Sequence, residues 1–175
     1  MKFLLYLKPW VLFLIFIASI LLASDSSYGL FIGFACWIIY AGWIYQIGVT
    51  MHNYTSLQNK PSIRYFQFSC CLMPFMIMST QIFYLYLEAF ITVNETLSTI
   101  ISIAISCYMC WTWLYICMFA ARMLESVIEG ELVNKSDSLK GFVCLLFFPF
   151  GVWYIQPAVQ RVLIKYKDSR YSLKG

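Results

Sequence analysis

Apolar residues run almost unbroken from Phe3 to Ala23, from Leu30 to Val49, from Tyr65 to Thr92 and from Leu97 to Ala121. Each run reaches or exceeds the roughly 20 residues that cross a bilayer as a helix. The polar stretches between them, "SDSSYG" (24–29), "TMHNYTSLQNKPSIR" (50–64) and "VNET" (93–96), are too short to hold a domain. The pattern predicts an all-α polytopic transmembrane bundle, a single domain with spans at about 3–23, 30–49, 65–92 and 97–121.

The first run carries Lys2 and Lys8 like a secretory signal, but Leu21 and Leu22 stand where a cleavage site needs small residues, so it reads as span one. The third run is longer than a span needs, and Pro74 is its expected kink. Beyond the fourth, "RMLESVIEGELVN" keeps a helical period: Leu124, Val127, Ile128 and Leu132 share one face, with Glu125, Glu129 and Glu131 off it.

The C-terminal apolar segment, 141–157, contains "FFPFGVWYIQP" and is broken by Pro149 and Gly151. It is either a re-entrant hairpin or a kinked fifth span. With the N-terminus inside, four spans put Lys2, Lys8, Lys60, Arg64, Arg122, Lys135 and Lys140 on the cytoplasmic side, and the turns at 24–29 and 93–96 carry no Lys or Arg. A re-entrant segment adds Arg161, Lys165, Lys167, Arg170 and Lys174 to that side, whereas a fifth span places them opposite. About 16 apolar residues favour the shorter excursion. Pro157 is expected to open a new helix, a basic interfacial tail over 158–175. In that tail Val159, Val162, Leu163 and Tyr166 form an apolar stripe, with Arg161 and Lys165 off it, as in a helix lying on anionic lipid.

Composition agrees with the membrane reading, with 62% hydrophobic and 11% charged residues against about 45–50% and 25% in soluble domains. The net charge of +4 includes no clustered basic face before the tail, which excludes nucleic acid as a partner. All seven Cys lie inside apolar runs, where thiols behave as small hydrophobes.

"KPWVLFL", "WIYQIGVTMHN", "FAARMLESVIEGE" and above all "LLFFPFGVWYIQPAVQRV" resemble uncharacterised small integral membrane proteins of the Bacteroidetes that end in a "WFFPIGIWFIQPRIN"-like segment. Ala158 stands where that group tends to have a basic residue, and Gln160 where it tends to have Asn. The resemblance implies a bacterial inner-membrane location and transfers no activity.

Candidate chemistry is sparse. Cys107 and Cys110 form a C-x-x-C of the kind a quinone-linked thiol oxidoreductase would use, but they fall mid-span and the outer turns carry no Cys. Glu88, with Gln81 on its face, is the acidic residue well inside a span and a candidate for a small carrier; no internal repeat accompanies it. His52, Arg122 and Glu125 form a candidate inner-interface cluster, with Arg122 and Glu125 spaced for an ordinary ion pair. A lone His supplies neither a haem nor a zinc site, so no metal and no cofactor is expected. Gly29 and Gly33 make a G-x-x-x-G that would permit close helix approach. Trp37, Trp43, Trp111, Trp113, Tyr84 and Tyr86 suit either bundle packing or an apolar groove.

The expected function is that of a non-enzymatic membrane protein acting by interaction, as an accessory subunit or a protective or regulatory factor. Arg161, Lys165 and Lys167 are its candidate surface for lipid or for other membrane-protein subunits. A carrier or thiol oxidoreductase is the alternative.

Overall fold

In the computed structural model the described residues are 3–25, 29–55, 60–90, 95–148 and 150–172, with side chains described for 3–22, 29, 31–55, 60–79, 99–148 and 150–167. They form seven helices and no strand: α1 (Phe3–Tyr6), α2 (Pro9–Asp25), α3 (Gly29–Tyr54), α4 (Arg64–Phe90), α5 (Glu95–Glu129), α6 (Leu139–Leu146) and α7 (Val152–Ser172). Two stretches, Phe31–Tyr54 and Thr99–Glu129, are long and apolar enough to cross a membrane, and Pro9–Leu22 is apolar but shorter.

The expected first span is interrupted. Pro9 has no N–H to offer the Leu5 carbonyl, and its ring disfavours a helical conformation at Lys8. Helix therefore stops at Tyr6 and restarts at Pro9. Pro74, by contrast, lies within a continuous α4. Helix α3 runs five residues past the expected end at Val49, which makes His52 a helical residue.

Helix α5 continues past residue 121, as its periodicity predicts, and stops at Gly130, whose φ of 81° is the left-handed conformation of a helix C-cap. The Gly130 N–H closes on the Ser126 carbonyl at 3.0 Å. The chain then folds back along α5. Ser126 Oγ accepts the Val133 N–H at 3.2 Å, and Arg122 Nε donates to the Val133 carbonyl at 2.8 Å.

Helices α6 and α7 form a hairpin that turns back within the bundle. Gly141 of α6 lies against Ala121 and Glu125 of α5, and four residues later Leu145 reaches Tyr40 of α3. After the turn at 147–151, Gln156 meets Trp43 and Tyr166 meets Tyr54. The hairpin packs through α6 on α5 and through α7 on α1 and α2, and its side-chain contacts to α3 extend from Tyr54 to Tyr40, about 21 Å of a helix roughly 39 Å long at 1.5 Å per residue. It returns to the end from which it entered.

Of the two residues expected to break the segment, Gly151 lies in the turn, and Pro149 lies outside the described residues. A Cβ on Gly151 would collide with the backbone carbonyl of Cys144, so only glycine permits this closure. The new helix starts at Val152 rather than Pro157, because the chain has already reversed. Pro157 therefore sits inside α7, and no helix boundary separates a membrane segment from the tail.

The core lies where the hairpin enters the bundle. Phe148 at its tip packs edge-on against Phe16 at 3.9 Å between centroids and against Tyr40 at 4.5 Å. Buried Trp43 lies 6.0 Å from it, and nearer the other end of α3 buried Phe66 and Phe119 stack on each other at 4.4 Å. The stripe expected to face lipid, Val159, Val162, Leu163 and Tyr166, is instead covered by the protein: the first three are buried, and the Tyr166 ring stacks on Tyr54 at 4.3 Å. The expected G-x-x-x-G shows no close approach at Gly33, where an added Cβ would meet no described residue within 4 Å. The close approach occurs at Gly48, whose added Cβ would run into the Phe66 ring.

Candidate functional site at the basic end of the bundle

Two helix breaks create orphan carbonyls in an apolar interior, and each is met by a side chain from a distant helix. At the first, Gln156 is fully buried and donates through Nε2 to the carbonyls of Leu5 (2.8 Å), Leu7 (2.8 Å) and Leu4 (3.1 Å). Its Oε1 accepts from Trp43 Nε1 at 2.9 Å, and Gln160 adds a second donor to Leu7 at 3.0 Å.

At the second, Pro149 cannot donate to Leu145 four residues earlier. Tyr40 Oη donates there instead, at 2.9 Å. The same oxygen accepts from Trp113 Nε1 at 3.0 Å and lies 3.4 Å from Cys117 Sγ. With the Tyr40 proton committed to Leu145, the thiol is the donor in that last contact. Helical hydroxyls turn inward too: Ser19, Ser79, Thr112 and Ser126 each donate to the carbonyl four residues back.

Sequence reasoning passed over Tyr40 and Gln156, although a signal existed. A proline in an apolar run marks the residue four positions earlier as a carbonyl in need of a donor. A buried Gln or Tyr elsewhere is the natural supply.

The thiol pair stands apart from this network. Cys107 and Cys110 are both unbridged and both exposed on α5, whereas Cys70 and Cys117 are the buried cysteines. Gln81 and Glu88 belong to α4, but their side chains lie outside the described residues; the same holds for Tyr84 and Tyr86.

Charge gathers at the end of the bundle where α3 and α5 finish and the hairpin begins and ends. His52 does not meet Arg122 or Glu125 there. It is 8% exposed, with Nε2 donating to the Pro61 carbonyl at 3.0 Å and its ring parallel to Phe119. With the proton on Nε2, its buried Nδ1 has no partner. Lys60 closes the C-terminus of α3 by donating to the His52 and Thr55 carbonyls at 3.4 and 3.5 Å. Nor do Arg122 and Glu125 pair, because the loop carbonyl of Val133 captures the Arg122 Nε first.

Two grooves flank the final turns of α5. One, of about 290 Å³, lies between α5 and α7 and brings Glu125 beside Arg161 and Lys165, with Tyr154 and Ile128 as walls. Lys140 Nζ sits 4.6 Å above the Tyr154 ring, a cation–π contact. This groove unites two groups that sequence spacing treated separately. Lys167 is exposed on the same helix but does not line it.

The other groove, of about 300 Å³, lies on the opposite flank and is apolar except for Arg122 and Lys135. No ion pair ties Arg122, Glu125, Lys135, Lys140, Arg161, Lys165 or Lys167 to another described residue. Among the described residues no group of His, Cys, Asp and Glu could hold a metal ion.

Comparison with protein-family models, curated proteins and solved structures finds no match for the chain.

Proposed function

We propose that the protein is a non-enzymatic, multi-pass protein of the bacterial inner membrane with its basic end in the cytoplasm. It acts there by interaction, as an accessory subunit or a protective or regulatory factor of a membrane complex. The observation that carries this reading is a division of labour among polar groups. The buried side chains Gln156, Tyr40 and Trp43 and the half-buried Trp113 are committed to one another and to orphan carbonyls. The charges at the basic end are left without ion-pair partners among the described residues.

A catalyst or carrier needs uncommitted polar groups inside the bundle, and the described interior offers few. Charged groups held around two open grooves suit a binding surface instead. The distribution of Lys and Arg supports the orientation: the turns at 24–29 and 93–96 have none, and Lys60, Arg64, Arg122, Lys135, Lys140, Arg161, Lys165 and Lys167 gather at the other end. Cys107 and Cys110 are exposed and unbridged on α5, apart from the buried contact between Tyr40 and Cys117, so the described structure gives the thiol-oxidoreductase alternative no support.

The test is co-purification from native membranes. The wild-type chain and a Cys107→Ser/Cys110→Ser variant are expected to retain the same membrane-protein partner, and an Arg161→Gln/Lys165→Gln/Lys167→Gln variant to lose it. Retention by the charge variant and loss by the thiol variant would overturn the proposal.

A further inference from the structure

We infer that the groove carrying Arg122 and Lys135 is a binding site for one anionic phospholipid of the cytoplasmic leaflet. Its long wall is a single face of α5. Trp111, Tyr115, Met118 and Arg122 follow one another at helical spacing, so the lane extends about 16 Å at 1.5 Å per residue. It grades from fully apolar to cationic. At one end Trp111 is 66% exposed. At the other stand Arg122 and, from the returning loop, Lys135. An acyl chain matches the first part and a phosphate the second.

The cationic end is built rather than incidental. Arg122 is held by its Nε on the Val133 carbonyl at 2.8 Å, and that loop is pinned in turn by the Val133 N–H on Ser126. This leaves the two terminal guanidinium nitrogens of Arg122 without a described partner, and the Lys135 ammonium likewise. An Arg fixed through Nε presents a planar pair of donors, the geometry that suits phosphate oxygens. A basic pocket between helices on the cytoplasmic side is where anionic head groups bind. No carboxylate lines this groove, in contrast with the Glu125 groove on the other flank.

The inference rests on the membrane placement proposed above but not on the partner. The two readings fail separately, because one depends on Arg122 and Lys135 and the other on Arg161, Lys165 and Lys167.

The experiment is native mass spectrometry of the purified full chain, titrated with phosphatidylglycerol, with phosphatidylcholine of the same chains, and with inorganic phosphate. One phosphatidylglycerol is expected to bind at least tenfold more tightly than phosphatidylcholine. Lys135→Gln, whose ammonium has no hydrogen-bond or ion-pair partner among the described residues, should weaken it about fivefold. Arg122→Gln/Lys135→Gln should bring it to the phosphatidylcholine level, while Arg161→Gln/Lys165→Gln/Lys167→Gln leaves it unchanged.

Equal affinity for the two lipids would overturn the inference, as would a preference indifferent to Lys135→Gln or one abolished by the α7 substitutions. Inorganic phosphate binding as tightly as the lipid would make the occupant a soluble anion and overturn the lipid assignment.

Discussion

Trp43 and Gln156 lie 113 residues apart and meet inside the bundle at 2.9 Å, indole N–H to amide oxygen. The contact holds the Gln156 amide so that its two N–H groups face the carbonyls left open where α1 breaks before Pro9. One side chain thereby joins the first element of the chain, the third and the last.

Replacing Gln156 by Leu strands the Trp43 N–H and the Leu5 carbonyl, and leaves the Leu7 carbonyl to Gln160 alone. Each stranded buried group costs about 1–3 kcal/mol, and partners found in the membrane-unfolded state reduce this. The expected loss is about 2–4 kcal/mol, measured by detergent unfolding. A loss below about 0.5 kcal/mol would show that these bonds do not hold the termini together.

Tyr40→Phe keeps the ring against Phe148 but removes the donor to Leu145 and the acceptor for Trp113. The cost is expected to be about 1–2 kcal/mol. Trp113→Phe should cost less in the Tyr40→Phe background than in the wild type, because the indole donor then has no acceptor to lose. A double-mutant cycle reads that coupling, and strict additivity would contradict the shared network.

Two glycines separate the turn from the helix-contact motif. Gly151→Ala drives a methyl into the Cys144 carbonyl and is expected to prevent the hairpin from closing, seen as failure to yield a monodisperse protein in detergent. Gly33→Ala enters open space and should leave stability within about 0.5 kcal/mol. A destabilising Gly33→Ala would restore the G-x-x-x-G contact, for instance with a second copy.

In a membrane, the hairpin geometry predicts that both ends of 139–172 report from one side. A cytoplasm-active reporter fused after residue 175 is expected to be active, and a periplasm-active one inactive. The reverse pattern would mean that the segment crosses as a fifth span and that the proposed orientation of the basic end is wrong.

The helices and their breaks were largely legible in the sequence. The apolar runs, the continuation of α5 past residue 121 and the turn at Gly151 follow from periodicity and from the covalent limits of proline and glycine. These act within a few residues and need no knowledge of the fold. The break before Pro9 was equally local and could have been read the same way.

What the sequence could not supply is which surfaces meet. The stripe of Val159, Val162, Leu163 and Tyr166 is equally suited to lipid and to a neighbouring helix, since both are apolar. Only the packed bundle shows that its own helices cover it. Arg122 and Glu125 have the spacing of an ion pair, yet a carbonyl from a loop eleven residues on takes the arginine. The joining of Leu5 to Gln156 and of Leu145 to Tyr40 likewise depends on long-range packing, across 151 and 105 residues. Local chemistry determined where donors would be needed, and tertiary structure decided which residues provide them, because a hydrogen bond requires a partner within about 3 Å and sequence distance does not measure that.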